Sequence, residues 1–191
     1  MLTTLIQQAV EHAGFALSEV DAIAVAKGPG SYTGLRIAVS TAKGLCFALD
    51  KPLIAINTLE ALALQVNPFF SEEYLFCPML DARRMEVYCA VFDKDLNYIE
   101  PTQAKIIDSE SFQDSLSQHK MVFFGDGAAK CQPVLSASAN ARFLKTEIYP
   151  SAKTVGQLAV ALYDNRQFET VETFEPYYLK DFMTTTPKKH L

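Results

Sequence analysis

The stretch Lys27-Gly28-Pro29-Gly30-Ser31-Tyr32-Thr33-Gly34-Leu35-Arg36 carries the spacing best suited to chemistry in this chain. Glycines and a proline stand between a short apolar run (Ile23-Ala24-Val25-Ala26) and a helical pattern that starts near Leu35. Glycine tolerates positive φ and lets another group approach the backbone, and proline fixes its own φ. Ser31 or Thr33 is placed to cap the helix that follows. Backbone N–H groups and the helix dipole at such a turn favour a phosphate or a carboxylate. The candidate contacts are Gly28, Gly30, Ser31 and Gly34. The same residues also describe a tight strand-to-helix turn with no ligand. No Gly-Lys-Ser/Thr follows, so this is not a Walker loop. Ser31 does not sit in a Gly-x-Ser-x-Gly elbow and has no histidine beside it in sequence, so a hydrolytic triad is not expected. No residue is assigned as catalytic.

Two further clusters merit attention. Asp81, Arg83 and Arg84 lie between two β-rich runs, where they form a surface turn with an Asp–Arg pair, a buried paired site or an interface contact. Gly125-Asp126-Gly127 follows a strand-like run and resembles a nucleotide-contacting turn, although a lone Gly-Asp-Gly is common. His12, His119 and His190, and Cys46, Cys77, Cys89 and Cys131, show no ligand spacing. No metal and no cofactor are expected.

Positioning these residues needs a folded core. The chain has 191 residues, 49% hydrophobic and 20% charged, which supports one medium domain or two small ones. A net charge of −5 argues against a chain that grips a nucleic-acid backbone unaided. The cysteines stand apart in apolar settings and read as reduced, buried residues, which fits the cytoplasm. No run is long enough for a membrane span and no signal peptide is evident.

Apolar spacing predicts a helix over 2–13, a strand over 22–26, a helix over 33–49, a strand over 53–56 and a helix ending near Val66. Strands alternating with helices predict an α/β layer with parallel pairing. The helix over 33–49 has a core stripe and a second, small-residue line of Ile37, Thr41, Gly44 and Ala48. That line accepts either the first helix of the same chain or a helix from a partner. From residue 69 on, an antiparallel meander over 74–80, 85–92 and 98–99 is expected. An extended piece over 105–107, a short helix capped by Asp108 or Ser109, and strands over 121–124 and 143–148 follow. A helix over 155–163, an extended tail after Pro176 and a frayed end over 184–191 complete the pattern.

Residues 26–36 strongly resemble the GPGSFTGLR signature of the TsaB (YeaZ) family. Leu80-Asp81-Ala82-Arg83-Arg84-Met85-Glu86-Val87-Tyr88 resembles its DAR…EVY stretch, and Asn57-Thr58-Leu59-Glu60-Ala61-Leu62-Ala63 also fits. Glu175-Pro176-Tyr177-Tyr178-Leu179 is similar to its C-terminal EPxYLR, with Lys180 in place of Arg. The resemblance implies a two-lobed acetate-kinase/Hsp70/actin-like (ribonuclease-H-like) α/β fold, with residues 1–68 in the N-terminal lobe and 69–191 in the C-terminal lobe. A typical member opens with strands that would precede Met1, so ~40 residues of the first lobe are expected to be missing here.

The implied role is that of a non-catalytic partner of TsaD, needed for threonylcarbamoyl transfer to the adenosine 3′ of the anticodon in tRNA. A TsaE-like ATPase joins the pair, and tRNA is met through the complex. The resemblance turns the helix line into a partner interface made of Leu2, Leu5, Ala9, Ile37, Thr41, Gly44 and Ala48, a surface that could also form a homodimer when the partner is absent. It makes the glycine loop a vestigial phosphate loop and leaves Asp81, Arg83 and Tyr178 as motif residues without a role. The competing expectation is an independent nucleotide-binding phosphotransferase or ATPase, or a glycopeptidase-like enzyme, of the same fold.

Overall fold

The computed structural model describes residues 2–180. Met1 and the expected frayed end at 184–191 lie outside the described residues. The architecture is mixed α/β, built on a two-stranded parallel sheet and a five-stranded mixed sheet.

The first sheet follows from local chemistry. Strand β1 (Ile23–Gly28) pairs in parallel with β2 (Leu53–Asn57), the two being joined by helix α2 (Tyr32–Leu49). Side chains alternate across a strand with period two. Ile23, Val25 and Leu53 therefore face α2, where they meet Val39, Ala42 and Cys46. Ala22, Ala26, Ile54 and Ile56 face the other way, onto Val155 and Ala159 of helix α6 (Ala152–Asp164) and Ala61 of helix α3 (Thr58–Val66). Helix α2 ends at Asp50, which takes a left-handed conformation (φ 53, ψ 50). Helix α3 is capped by the Asn57 side chain, which accepts from the Leu59 N–H at 2.8 Å.

The second sheet runs in the order β5–β4–β3–β6–β7, made of β3 (Tyr74–Asp81), β4 (Glu86–Phe92), β5 (Tyr98–Ile106), β6 (Lys120–Phe124) and β7 (Ala141–Phe143). The pairs β3–β4 and β4–β5 are antiparallel, whereas β3–β6 and β6–β7 are parallel. One face, carrying Cys77, Met79, Cys89 and Phe123, is covered by helices α4 (Gln113–Gln118) and α5 (Ala128–Leu135). The other, carrying Phe76, Phe92, Val122 and Phe124, lies on Leu59, Leu62, Ala63 and Val66 of α3. Helix α3 is thus clamped between the sheets, which explains a run apolar on nearly every side. The chain returns to the first sheet late, through α6 and through Glu169, whose N–H donates to Leu53 O at 2.9 Å.

Several sequence expectations differ from this arrangement. The extended pieces at 98–99 and 105–107 form a single strand, β5, which tolerates Pro101 because it is an edge. The short helix α4 starts at Gln113, because the Asp108 carboxylate instead holds the Glu110 N–H (3.1 Å) and the Ser111 hydroxyl (2.8 Å) in a turn. Helix α5 is absent from the sequence reading, since it contains Pro133 and has no capping side chain. The strand expected over 143–148 ends at Phe143, and Leu144 and Ile148 leave the sheet to pack on the α3 side.

Candidate functional site

The glycine loop forms the expected strand–turn–helix, with Ser31 as cap. Its hydroxyl lies 3.4 Å from the Gly34 N–H, and the first helical bond joins Leu35 N to Ser31 O at 2.8 Å. Gly28 has φ +115, and the Gly28–Pro29 peptide is cis. A Cβ on Gly28 would sit 2.9 Å from the carbonyl oxygen of Tyr177 and 3.0 Å from Leu35 Cδ1. The close approach that glycine permits is therefore made here by the chain's own backbone. Gly30 is under no such demand, since a Cβ there would meet only Leu35 at 3.9 Å.

The group that approaches belongs to the C-terminal motif, a pairing for which the sequence carries no local signal. Tyr177 N–H donates to Lys27 O at 2.7 Å, and the Tyr178 ring lies on the Tyr32 ring at 4.8 Å between centroids. Arg36 Nη1 donates to the Tyr32 hydroxyl at 3.0 Å. Lys43 Nζ donates to the carbonyls of Glu172 (3.1 Å) and Phe174 (3.0 Å). A cavity of about 400 Å³ lies between α2 and this segment, with Tyr32, Arg36, Ser40, Lys43, Glu175 and Tyr178 on its walls. At the junction of the sheets, Asn57 Nδ2 donates to Thr102 Oγ1 at 2.8 Å. Burial raises the Glu60 carboxyl pKa, with the Lys27 charge pulling it back. The neighbouring Tyr98 phenol is pushed up to about 12, chiefly by burial and then by the Glu60 charge.

Asp81 does not pair with an arginine side chain. Its carboxylate forms an ion pair with Lys130 of α5 and accepts the Arg83 N–H at 2.9 Å. The Lys130 hydrogen bond holds the Asp81 carboxyl below the usual carboxylate range. Asp81 N–H donates to Asp126 Oδ1 at 2.9 Å, so the Gly-Asp-Gly turn and the hairpin form one charged cluster. The glycines of that turn press on strand β3: a Cβ on Gly125 would lie 2.4 Å from Met79 O, and one on Gly127 2.8 Å from Leu80 C.

Helix α1 (Leu2–His12) has no buried residue, and Leu5 is 57% exposed. On α2, Ile37, Gly44 and Ala48 are exposed and Thr41 is half-buried. A Cβ on Gly44 would meet no atom within 4 Å, so the first helix of the chain does not fill this line. Phe47, beside it, is 89% exposed, and the sequence reading did not single it out. At 3.6 residues per turn this face is about half a turn from the buried stripe of Leu35, Val39, Ala42 and Cys46. The four cysteines are buried and unpaired by disulfides, and burial raises the pKa of Cys46, Cys77 and Cys131, the last to about 11. Among the described residues, no three His, Cys, Asp or Glu are gathered as a metal site requires, and no helix is long and apolar enough to cross a membrane.

Comparison with known proteins agrees with this architecture. The family model for TsaD, tRNA N6-adenosine threonylcarbamoyltransferase, matches residues 1–187. The chain is 28% identical over 183 residues to the Escherichia coli (strain K12) tRNA threonylcarbamoyladenosine biosynthesis protein TsaB, covering 93% of this chain and 78% of that protein. It is 46% identical over 74 residues to the Bacillus subtilis (strain 168) TsaB, a match that spans 39% of this chain and 31% of that relative's length. The crystal structure of a Pseudomonas aeruginosa protein with similarity to peptidase YeaZ superposes with a TM-score of 0.80 at 26% identity, over 94% of this chain and 82% of that one. With the family model matching nearly the whole chain and a TM-score this high to the P. aeruginosa structure, one assignment is left: the chain belongs to the TsaD family, in its TsaB (YeaZ) branch.

Proposed function

We propose that this protein is the non-catalytic partner of a TsaD-like subunit in threonylcarbamoyl transfer to the adenosine 3′ of the anticodon in tRNA. The observation that carries the reading is the uncovered small-residue face of α2. Ile37, Thr41, Gly44 and Ala48 form a line opposite the core stripe, with open space over Gly44 and with Phe47 projecting beside it. Exposed apolar faces of this kind mark protein–protein contacts. Leu2, Leu5 and Ala9 on α1 offer a second exposed apolar row that would complete a helical bundle with the partner. The family relatives supply the pathway, since the E. coli and B. subtilis proteins are named for threonylcarbamoyladenosine biosynthesis.

In this reading the service of Gly28 is to let the C-terminal segment pack, with Tyr177 O standing where a Cβ would be. A TsaE-like ATPase joins the complex, tRNA is held largely by the partner, and the work is cytoplasmic. In the absence of the partner, the same face pairs two copies of this chain.

Reconstitution tests the proposal. Mixing the chain with a TsaD-type subunit, a TsaE-type ATPase, threonylcarbamoyl-adenylate and tRNA should restore modification that the mixture lacks without it. Gly44→Leu should abolish complex formation on a sizing column while leaving the circular-dichroism spectrum intact. Complex formation and activity unaltered by Gly44→Leu would refute the assignment of the face.

An independent enzyme is the second reading, favoured by the helix start after the glycine loop and by the similarity of the P. aeruginosa relative to peptidase YeaZ. It requires tight ATP binding with turnover, or peptide cleavage, by the chain alone. No heat of binding at millimolar ATP and no cleavage would remove it.

A further inference from the structure

Two motif residues left without a role, Asp81 and Tyr178, fall on one physical line. Phe174 enters the core beside α2, and Lys43 of α2 holds the carbonyls of Glu172 and Phe174. Tyr177 then bonds Lys27 O with its N–H and places its own carbonyl over Gly28. Tyr178 lies on Tyr32, the first residue of α2. Lys180 forms an ion pair with Glu86, the first residue of β4 in the second sheet. The Glu86 carbonyl accepts from Lys130 Nζ at 2.7 Å, and Lys130 is the ion-pair partner of Asp81. Asp81 in turn is held by Asp126 at the entry to α5. Residues 175–180 thus run from the first turn of α2 to the charged hairpin of the other sheet.

The segment grips one side of α2 and leaves another open. Tyr32, Arg36, Ser40 and Lys43 face it, while Ile37, Thr41, Gly44 and Ala48 lie about a third of a turn away. A rigid helix passes a change on one side to the other, because packed elements shift as units.

We propose that residues 175–180 are a latch that sets the position of α2 against the second sheet, with Tyr178 and Lys180 as positioning residues for the open α2 face. Two contacts of different kinds hold it, an aromatic pair at the α2 end and an ion pair at the hairpin end. Breaking the ion pair frees the Tyr177 N–H and the first turn of α2, although the pair itself joins the segment to β4. The consequence at the open face rests on the partner reading above, whereas the latch itself does not.

Amide hydrogen exchange on the full chain tests it. Lys180→Glu should speed exchange of the Tyr177 and Leu35 amides about fivefold, since the substitution turns an attraction into a repulsion. Combining it with Glu86→Lys should restore slow exchange. Tyr178→Ala should speed the same amides about tenfold, with Tyr178→Phe near the parent, because the ring and not the hydroxyl carries the contact. Exchange within twofold of the parent for both Lys180→Glu and Tyr178→Ala would overturn the latch, as would failure of the charge swap to restore it. Partner affinity, measured on the same variants with a TsaD-type subunit, should fall for Lys180→Glu and recover in the swap. Exchange that changes while affinity does not would overturn the link to the open face. If even the parent chain fails to bind, the partner reading falls and the exchange data still decide the latch.

Discussion

At residue scale, glycines that look alike in sequence have unlike duties. Gly28 combines φ +115 with a Cβ position 2.9 Å from a backbone oxygen, and Gly30 has neither constraint. Gly28→Ala should therefore cost about 2 kcal/mol in urea unfolding, whereas Gly30→Ala should stay within about 0.5 kcal/mol. Asp81 gives a pH signature. Its folded pKa is depressed, first by the Lys130 hydrogen bond, so its contribution is present above the unfolded value and lost as pH falls through the folded one. The stability difference between the parent and Asp81→Asn should thus be full above about pH 4 and close as the solution becomes more acidic. A difference independent of pH would mean that the Lys130 pair does not act as a charge pair.

At element scale, α2 meets competing demands. Glycine in a helix interior costs about 1 kcal/mol relative to alanine, and nothing near Gly44 would obstruct a methyl group. Gly44→Ala should accordingly raise the unfolding midpoint of the isolated chain while weakening binding to a TsaD-type subunit. A stabilised variant with unchanged affinity would show that close helix approach is not why glycine stands there. Phe47, 89% exposed, supplies the complementary case. Phe47→Ser should leave stability within about 0.5 kcal/mol and lower partner affinity, read by titration calorimetry.

At the scale of the whole molecule, the two sheets share their packing. Helix α3 is buried against both, α6 returns to cover the first sheet, and residues 175–180 join α2 to β4. Each sheet lacks part of its cover without the other's helices. Scanning calorimetry should give a single transition whose calorimetric and van't Hoff enthalpies agree. Two resolved transitions would show that α3 and α6 do not couple the sheets.

Much of the first half is legible in sequence because its determinants are local. Ser31 and Asn57 cap helices from within their own turns, and the 3.6-residue spacing of Leu35, Val39, Ala42 and Cys46 marks one face of α2. The short apolar runs of β1 and β2 and the glycine-rich turn after β1 are equally short-range, so the strand–helix–strand unit and the family motifs can be read directly. The pairing of Lys130 with Asp81, of Tyr177 with Lys27 and of Lys180 with Glu86 cannot. Each joins residues far apart in the chain, and a contact closed by tertiary packing leaves no period and no fixed spacing. Helix α5 escaped because Pro133 masks its pattern, and the Ala128, Cys131 and Leu135 positions in the core reveal it. The sequence by itself determined the family, the α/β layering and the strand–turn–helix form of the glycine loop. Which group fills the space over Gly28, and which face of α2 stays bare, were decided only when distant segments were packed against one another.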